Sequence, residues 1–230
     1  MKRLIKLSQR KTEALKVETK RFLYNEIDWH QPLIFINGYR GAGKTTLLFQ
    51  RIIEIKEKAI YLSLDDIYFE TYRLVEVIDN LYEIGYRHFF LDEIHRYKNW
   101  SKDLKNSYDN YPDINIVATG SSVLKVNQGQ ADLSRRAVSY YLPGLSFREF
   151  LELSYQISFA PLELNTILQR HHEIASEILD RTDVLKAFSE YLRHGYYPFF
   201  KEGAKVYEQK LRETINLVID IDISGFEELS

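Results

Sequence analysis

The stretch GYRGAGKTT, Gly38 to Thr46, sets glycines, a lysine and two threonines at the spacing GxxxxGK[ST]. This is the spacing of a phosphate-binding loop, in which consecutive backbone N–H groups converge on an anion. Gly38, Gly41 and Gly43 permit torsions and close approach that a Cβ forbids. A helix starting at the loop adds its unpaired N–H groups and the positive end of its dipole. In such a loop Lys44 reaches the β and γ phosphates of a nucleotide. Thr45 offers its hydroxyl to Mg2+, which prefers oxygen ligands and keeps several waters. Tyr39, Arg40, Ala42 and Thr46 complete the nucleotide-binding stretch.

Asp92 and Glu93 form the second chemical group. They end the apolar run of HFFLDEIHRY, so a buried strand delivers both carboxylates to the sheet edge where ligands of open α/β sheets bind. In P-loop ATPases the first carboxylate of such a pair holds Mg2+ and the second polarises the attacking water. Asp65 and Asp66, after AIYLSL, are alternative metal ligands, but the stronger expectation is that one of them caps the following helix. His95 and Arg96 are adjacent without a clear chemical role.

INIVATGSS, Ile114 to Ser122, ends another apolar run in hydroxyls. Where a P-loop ATPase carries an extra strand between its two main motifs, a polar group here lies beside the γ phosphate and orients water. Thr119 is the first choice and Ser121 the second; the alternative is hydroxyls that only cap a turn. Further on, Arg135 and Arg136 precede AVSYYL. An arginine delivered to the γ phosphate neutralises charge developing on transfer, while an arginine pair at a loop edge is otherwise a solvated charge.

The elements that must position these groups follow from hydrophobic periodicity. LIFIN, Leu33 to Asn37, reads as a buried parallel strand between Pro32 and the loop. Leu48, Ile52 and Ile55 give the next helix its apolar stripe, and Leu74, Val77, Ile78 and Leu81 give another. A helix is expected from Trp100 to about Tyr108. Residues 4 to 28 have helical spacing and are expected to cover a sheet edge, with Trp29 and His30 as possible neighbours of a nucleotide base. The polar stretch 125 to 134 is expected to be mobile. From Leu145 onward the pattern is helical: Ser146 with Glu149 makes a capping box, residues 163 to 181 and 184 to 193 are helices, HGYYP is a break, and Tyr207, Leu211, Ile215 and Val218 mark a last amphipathic helix.

Composition excludes several classes. Hydrophobic residues at 45% and charged residues at 28% describe a chain that buries a core, not a disordered one. The net charge of −2 does not indicate nucleic acid, and the eight Lys/Arg against four Asp/Glu in residues 1 to 30 fit a solvated helix face. No cysteine is present for a disulfide or thiolate site, and no apolar run reaches the length of a membrane helix, so a cytoplasmic chain without membrane contact is expected.

In order and spacing, GYRGAGKTT, LSLDD, FLDEIHRYKNW, VATGSS, LSRRAVSYYLPGLSFREFL and HGYYPFF resemble the prokaryotic AAA-superfamily ATPases with an AAA_14 core and a C-terminal DUF4143 domain. The resemblance spans roughly residues 33 to 200. It implies an α/β P-loop NTPase, a three-layer sandwich with a parallel five-stranded sheet of order 5-1-4-3-2, followed by a small helical lid region. It implies ATP as nucleotide, with Mg2+. It carries phosphate, metal and base roles onto Lys44, Thr45, Asp92 and Glu93, and the sensor of the fourth strand onto Thr119 or Ser121. The family's Gly-Arg before the fifth strand stands here as Arg135-Arg136, so Arg136 matches the family arginine. The family's Gly-Gly-x-Pro appears as the looser His194-Gly195-Tyr196-Tyr197-Pro198.

The expected organisation is an ATPase core over residues 1–144 and a helical region over 145–230, the latter opening a truncated C-terminal domain that starts near VIDIDIS. The leading function is an ATPase whose cycle moves the helical lid or an attached domain, acting on an unknown protein or effector-domain partner, with oligomers possible. A slow nucleotide-gated switch and, further off, a small-molecule kinase are the alternatives.

Overall fold

In the computed structural model LIFIN folds as strand β1 (Leu33–Asn37), and Leu33 to Ile36 are wholly buried. The structure describes residues 1–16, 19–121, 133, 135–217 and 219. Strands β2 (Ala59–Ser63), β3 (His88–Asp92), β4 (Asn115–Gly120) and β5 (Val138–Tyr141) join β1 in one parallel sheet of order β2-β3-β4-β1-β5. This is the 5-1-4-3-2 order that the resemblance implies. Burial on both faces explains why these strands read as continuous apolar runs.

Side chains alternate between two cores. Leu33 and Phe35 pack with Phe89, Leu91, Leu74 and Trp100, while Ile34 and Ile36 pack with Phe90, Val117, Leu47 and Leu48. The first core is closed by helices α5 (Leu74–Glu83) and α6 (Trp100–Asn110). The second is closed by α3 (Lys44–Glu54) and the short α2 (Leu23–Glu26). Ile55, expected inside α3, is extended and lies just past its end. Helix α1 (Lys2–Glu13) packs against β2, where the Ser8 hydroxyl accepts a hydrogen bond from Tyr61 N at 2.9 Å. An otherwise open edge amide of β2 is thereby satisfied, as the expected cover of a sheet edge requires.

Asp66 accepts from Tyr68 N at 2.9 Å and pairs with Arg3 at 2.8 Å. The short helix α4 (Tyr68–Thr71) follows with Ile67 as its N-cap, and Arg73 stands at the N-cap of the apolar-striped α5; neither has a side-chain cap, so the expected aspartate cap is not formed and Asp66 closes only a local turn.

The chain divides into two compact units, Met1–Pro143 and Gly144–Ser230. The second is helical: α7 (Phe147–Tyr155), α8 (Leu164–Arg181), α9 (Val184–His194) and α10 (Ala204–Leu217). The Ser146–Glu149 capping box is formed in both directions. The HGYYP break is a turn through Gly195 into the 3-10 helix Pro198–Glu202. Of the last helix's expected stripe Tyr207 is buried and Ile215 is exposed, while Val218 and VIDIDIS lie outside the described residues. So does the expected mobile stretch 125–134, apart from Leu133, which is buried. Among the described residues no helix is long and apolar enough to cross a membrane.

Candidate functional site

Strand register brings the chemical residues together. β1 and β4 pair Ile36 with Thr119, β3 and β4 pair Leu91 with Ala118, and Asp92 follows directly, so the P-loop, Asp92 and Thr119 share the C-terminal edge of three adjacent strands. Gly38 leaves β1 under the backbone of Leu142, and a Cβ there would stand 2.3 Å from the Leu142 carbonyl oxygen. Gly43 is the N-cap of α3 at φ 100°, a left-handed torsion that glycine adopts without strain. The loop therefore ends on the first turn of a helix, where unpaired N–H groups point outward.

Lys44 is 95% buried, and its ammonium donates to the carbonyls of Gly38 at 2.7 Å and Tyr39 at 2.9 Å. Burial holds its pKa below the ordinary lysine value, against the pull of Glu93 and Asp92. Tyr39, Arg40 and Gly41 are exposed, and the Tyr39 ring meets Tyr141 edge-on. Ala42 is buried and Thr46 half-buried.

Asp92 is the hub. Its Oδ2 accepts from the Thr45 hydroxyl at 2.7 Å and from the Tyr61 hydroxyl at 2.8 Å, and its Oδ1 accepts from Thr119. Burial and the Asp92 charge push the Tyr61 phenol well up, so it remains a donor. The Thr45 hydroxyl and the Asp92 carboxylate, in hydrogen-bond contact, are hard oxygen donors of the kind Mg2+ takes. Among the described residues there is no group of three or more His, Cys, Asp or Glu that could hold a metal, so a cation here would rest on this one carboxylate, the hydroxyl and phosphate or water oxygens.

Glu93 follows at φ 53° and ψ 45°, a left-handed conformation that is uncommon for a residue with a Cβ. Its amide donates to Thr119 Oγ1 at 3.2 Å, and its Oε2 accepts from the Ser121 hydroxyl at 3.0 Å. Thr119 and Ser121 thus divide differently from the sequence expectation. Thr119, the first choice to orient water, is wholly buried and braces Asp92 and the Glu93 backbone. Ser121, the second choice, is the one on the Glu93 carboxylate.

Arg136 is not brought to this site. It forms a two-pronged ion pair with Asp109, Nε at 3.0 Å and Nη2 at 3.2 Å, near the end of α6. It precedes Tyr141, the residue level with Asn37 beside the P-loop, by five positions, about 16 Å of extended chain. In this structure the Arg136 guanidinium is thus held by Asp109 and not at the P-loop. Arg135 is exposed nearby. Trp29 and His30 also lie at the wrong edge for a base: the Trp29 carbonyl faces Asn115, which starts β4, and both residues line a cleft of about 520 Å3 with Arg51, His88 and Ile114.

Two residues at the site had no assigned role in the sequence. Arg21 is buried and donates to the carbonyl of Ala42 and, at 2.8 Å, to that of Pro143. Nothing in its local sequence separates it from other basic residues near the N-terminus. Tyr61 carried a weak signal, a phenol in the strand AIYLS whose burial demands a hydrogen-bond partner.

The AAA domain family AAA_14 matches residues 30–151, more than half of the chain and all of this site except Arg21. The chain belongs to that family. The match covers the AAA part of the expected resemblance and does not extend to a DUF4143 domain. Among curated relatives, this AAA domain is similar to the uncharacterized protein MJ1637 of Methanocaldococcus jannaschii, 33% identical over 83% of this chain and 42% of that protein. It is also similar to MJ1544 of the same organism, 27% identical over 71% of this chain and 35% of that protein. The chain therefore spans less than half the length of the relatives it matches. Among solved structures, a Walker-type ATPase of Pyrococcus abyssi aligns over 91% of this chain and 75% of its own, with 17% identity and a TM-score of 0.46.

Proposed function

We propose that this AAA domain binds ATP with Mg2+ and hydrolyses it to ADP and phosphate. The observation that carries the reading is the contact of Thr45 with Asp92 at 2.7 Å, with Glu93 next in sequence and its carboxylate held by Ser121. One side of the cluster offers oxygen ligands and the other a base.

The P-loop amides of residues 38 to 46 and the first turn of α3 bind the phosphates, and Lys44 exchanges its two backbone carbonyls for phosphate oxygens. Thr45 and Asp92 would hold Mg2+, which would neutralise phosphate charge when bound. Glu93 accepts a proton from water as the water oxygen bonds to the γ phosphorus. The bond from that phosphorus to the β–γ bridging oxygen breaks, and the electron pair leaves with ADP. Ser121 fixes the Glu93 carboxylate, and Thr119 supports both acids from below. Arg136 contributes to transition-state charge only when delivered to the site of another copy. Turnover is coupled to movement of the helical unit or of an effector domain, with the P-loop as the nucleotide-sensing end.

The test is phosphate release with ATP and Mg2+, with and without small-molecule acceptors, beside calorimetric nucleotide binding. Lys44→Ala weakens binding itself, because a direct countercharge is lost. Glu93→Gln keeps binding and loses turnover. Wild-type hydrolysis by Glu93→Gln would remove Glu93 as the base, and ADP formed only with an added acceptor and without free phosphate, the phosphoryl group ending on that acceptor, would make the protein a kinase.

A further inference from the structure

His95 lies on the 3-10 turn Ile94–Arg96, whose N-cap is Glu93. The turn closes through Arg96 N to Glu93 O at 2.9 Å and is anchored by the wholly buried Ile94. In a regular helix the side chains of residues i and i+2 do not face each other. The left-handed backbone of Glu93 changes that. His95 Nε2 comes to 3.3 Å from Glu93 Oε2 and 3.5 Å from Ser121 Oγ, while Ser121 Oγ is 3.0 Å from the same Oε2. The His95 side chain is 7% exposed, against 25% for Glu93. A buried imidazole and a hydroxyl therefore meet on one oxygen of the carboxylate.

We infer that His95 is a positioning residue for Glu93: in its Nε2–H form it holds Oε2 together with Ser121, so that Oε1 is presented to the attacking water. The inference rests on Glu93 being the base. The terminal torsion of a glutamate is broad, so an unanchored carboxylate turns freely about it. Two anchors on one oxygen remove that freedom, and orientation at the reacting atom is worth about 100-fold for a displacement of about 1 Å.

Four proteins compared in steady-state phosphate release test this: His95→Ala, His95→Gln, Glu93→Gln and the double variant His95→Ala/Glu93→Gln. His95→Ala lowers kcat about 10- to 100-fold with KM within about twofold, and His95→Gln, which keeps a donor near the position of Nε2, recovers most of the loss. In the Glu93→Gln background His95→Ala changes the residual rate less than about twofold, because His95 acts through the carboxylate. Independently of turnover, nitrogen NMR reads the pair: the Nε2 resonance of His95 moves when Glu93 becomes Gln. An unchanged kcat in His95→Ala beside an inactive Glu93→Gln overturns the inference and leaves the base in place. A wild-type rate in Glu93→Gln overturns the base reading, and the inference with it. An equal His95→Ala loss in both backgrounds, or raised KM with a lowered melting temperature and no rescue by Gln, overturns positioning in favour of a structural role.

Discussion

Thr45 Oγ1 donates to Asp92 Oδ2 at 2.7 Å across 47 positions of sequence, joining the first turn of α3 to the end of β3. The two residues meet because the parallel sheet aligns the ends of β1 and β3 through β4, which lies between them. Tyr61 donates to the same oxygen from β2, and Thr119 to the other from β4. Asp92 is therefore held from three other elements, α3, β2 and β4.

The hydroxyls of VATGSS separate stability from turnover. Thr119→Val strips a donor from the buried Asp92 and an acceptor from the half-buried Glu93 amide, and costs about 1–3 kcal/mol in urea unfolding. Ser121→Ala leaves unfolding nearly unchanged and lowers phosphate release about 10-fold or more. Equal stability losses would mean that Ser121 is a structural hydroxyl as well.

Arg21 spans two carbonyls, Ala42 in the P-loop and Pro143 after β5, with the two ends of one guanidinium. Arg21→Ala leaves both without this donor and weakens nucleotide binding by calorimetry as well as lowering the melting temperature. Arg21→Lys restores little, since an ammonium lacks the fixed fork that reaches both oxygens. Full rescue by lysine would show that only the charge matters.

Arg136 and Asp109 pair away from the phosphate edge. In a sample shown by light scattering to be monomeric, Arg136→Ala leaves the turnover rate within about twofold of wild type, because the transition state gains nothing from a residue held by Asp109. At concentrations where copies associate, the same variant loses about 10- to 1000-fold if Arg136 acts across subunits. A large loss in the monomer contradicts the observed geometry.

Glu54 at the end of α3 accepts hydrogen bonds from Lys20 and from the Tyr24 hydroxyl. The Lys20 bond first, then the Tyr24 bond, hold its carboxyl below the ordinary value of 4.5. A folded-state value below the unfolded one contributes stability that is complete above the unfolded value and disappears as pH falls through the folded one. Glu54→Gln is accordingly less stable than wild type at pH 7, and the gap closes as the pH is lowered below 4.5. Denaturant midpoints for both proteins at several pH values measure this; a gap independent of pH would assign the loss to packing.

The sequence by itself determined the local parts. LIFIN, HFFLD and INIVATG are apolar enough to be buried strands, GYRGAGKTT reads as a tight glycine turn leading into a helix, and Ser146 with Glu149 caps a helix, because each depends on residues within a few positions of one another. Lys44, Thr45, Asp92 and Glu93 were legible as a site for the same reason, since a strand followed by a loop fixes which end its polar residues occupy. Tertiary structure decided which partners those residues have. Thr119 is on β4 and Ser121 lies just past its end, and only packing against β3 sends one to Asp92 and the other to the Glu93 carboxylate. Tyr61 and Arg21 reach the site from a neighbouring strand and from the segment before α2, long-range contacts with no local signature. Arg136 stands near the fifth strand in sequence, but it precedes the start of that parallel strand, whose other end lies beside the P-loop, and pairs with Asp109. His95 faces Glu93 because the backbone of Glu93 turns left-handed, a torsion that the surrounding fold imposes on a residue whose own preference is for another.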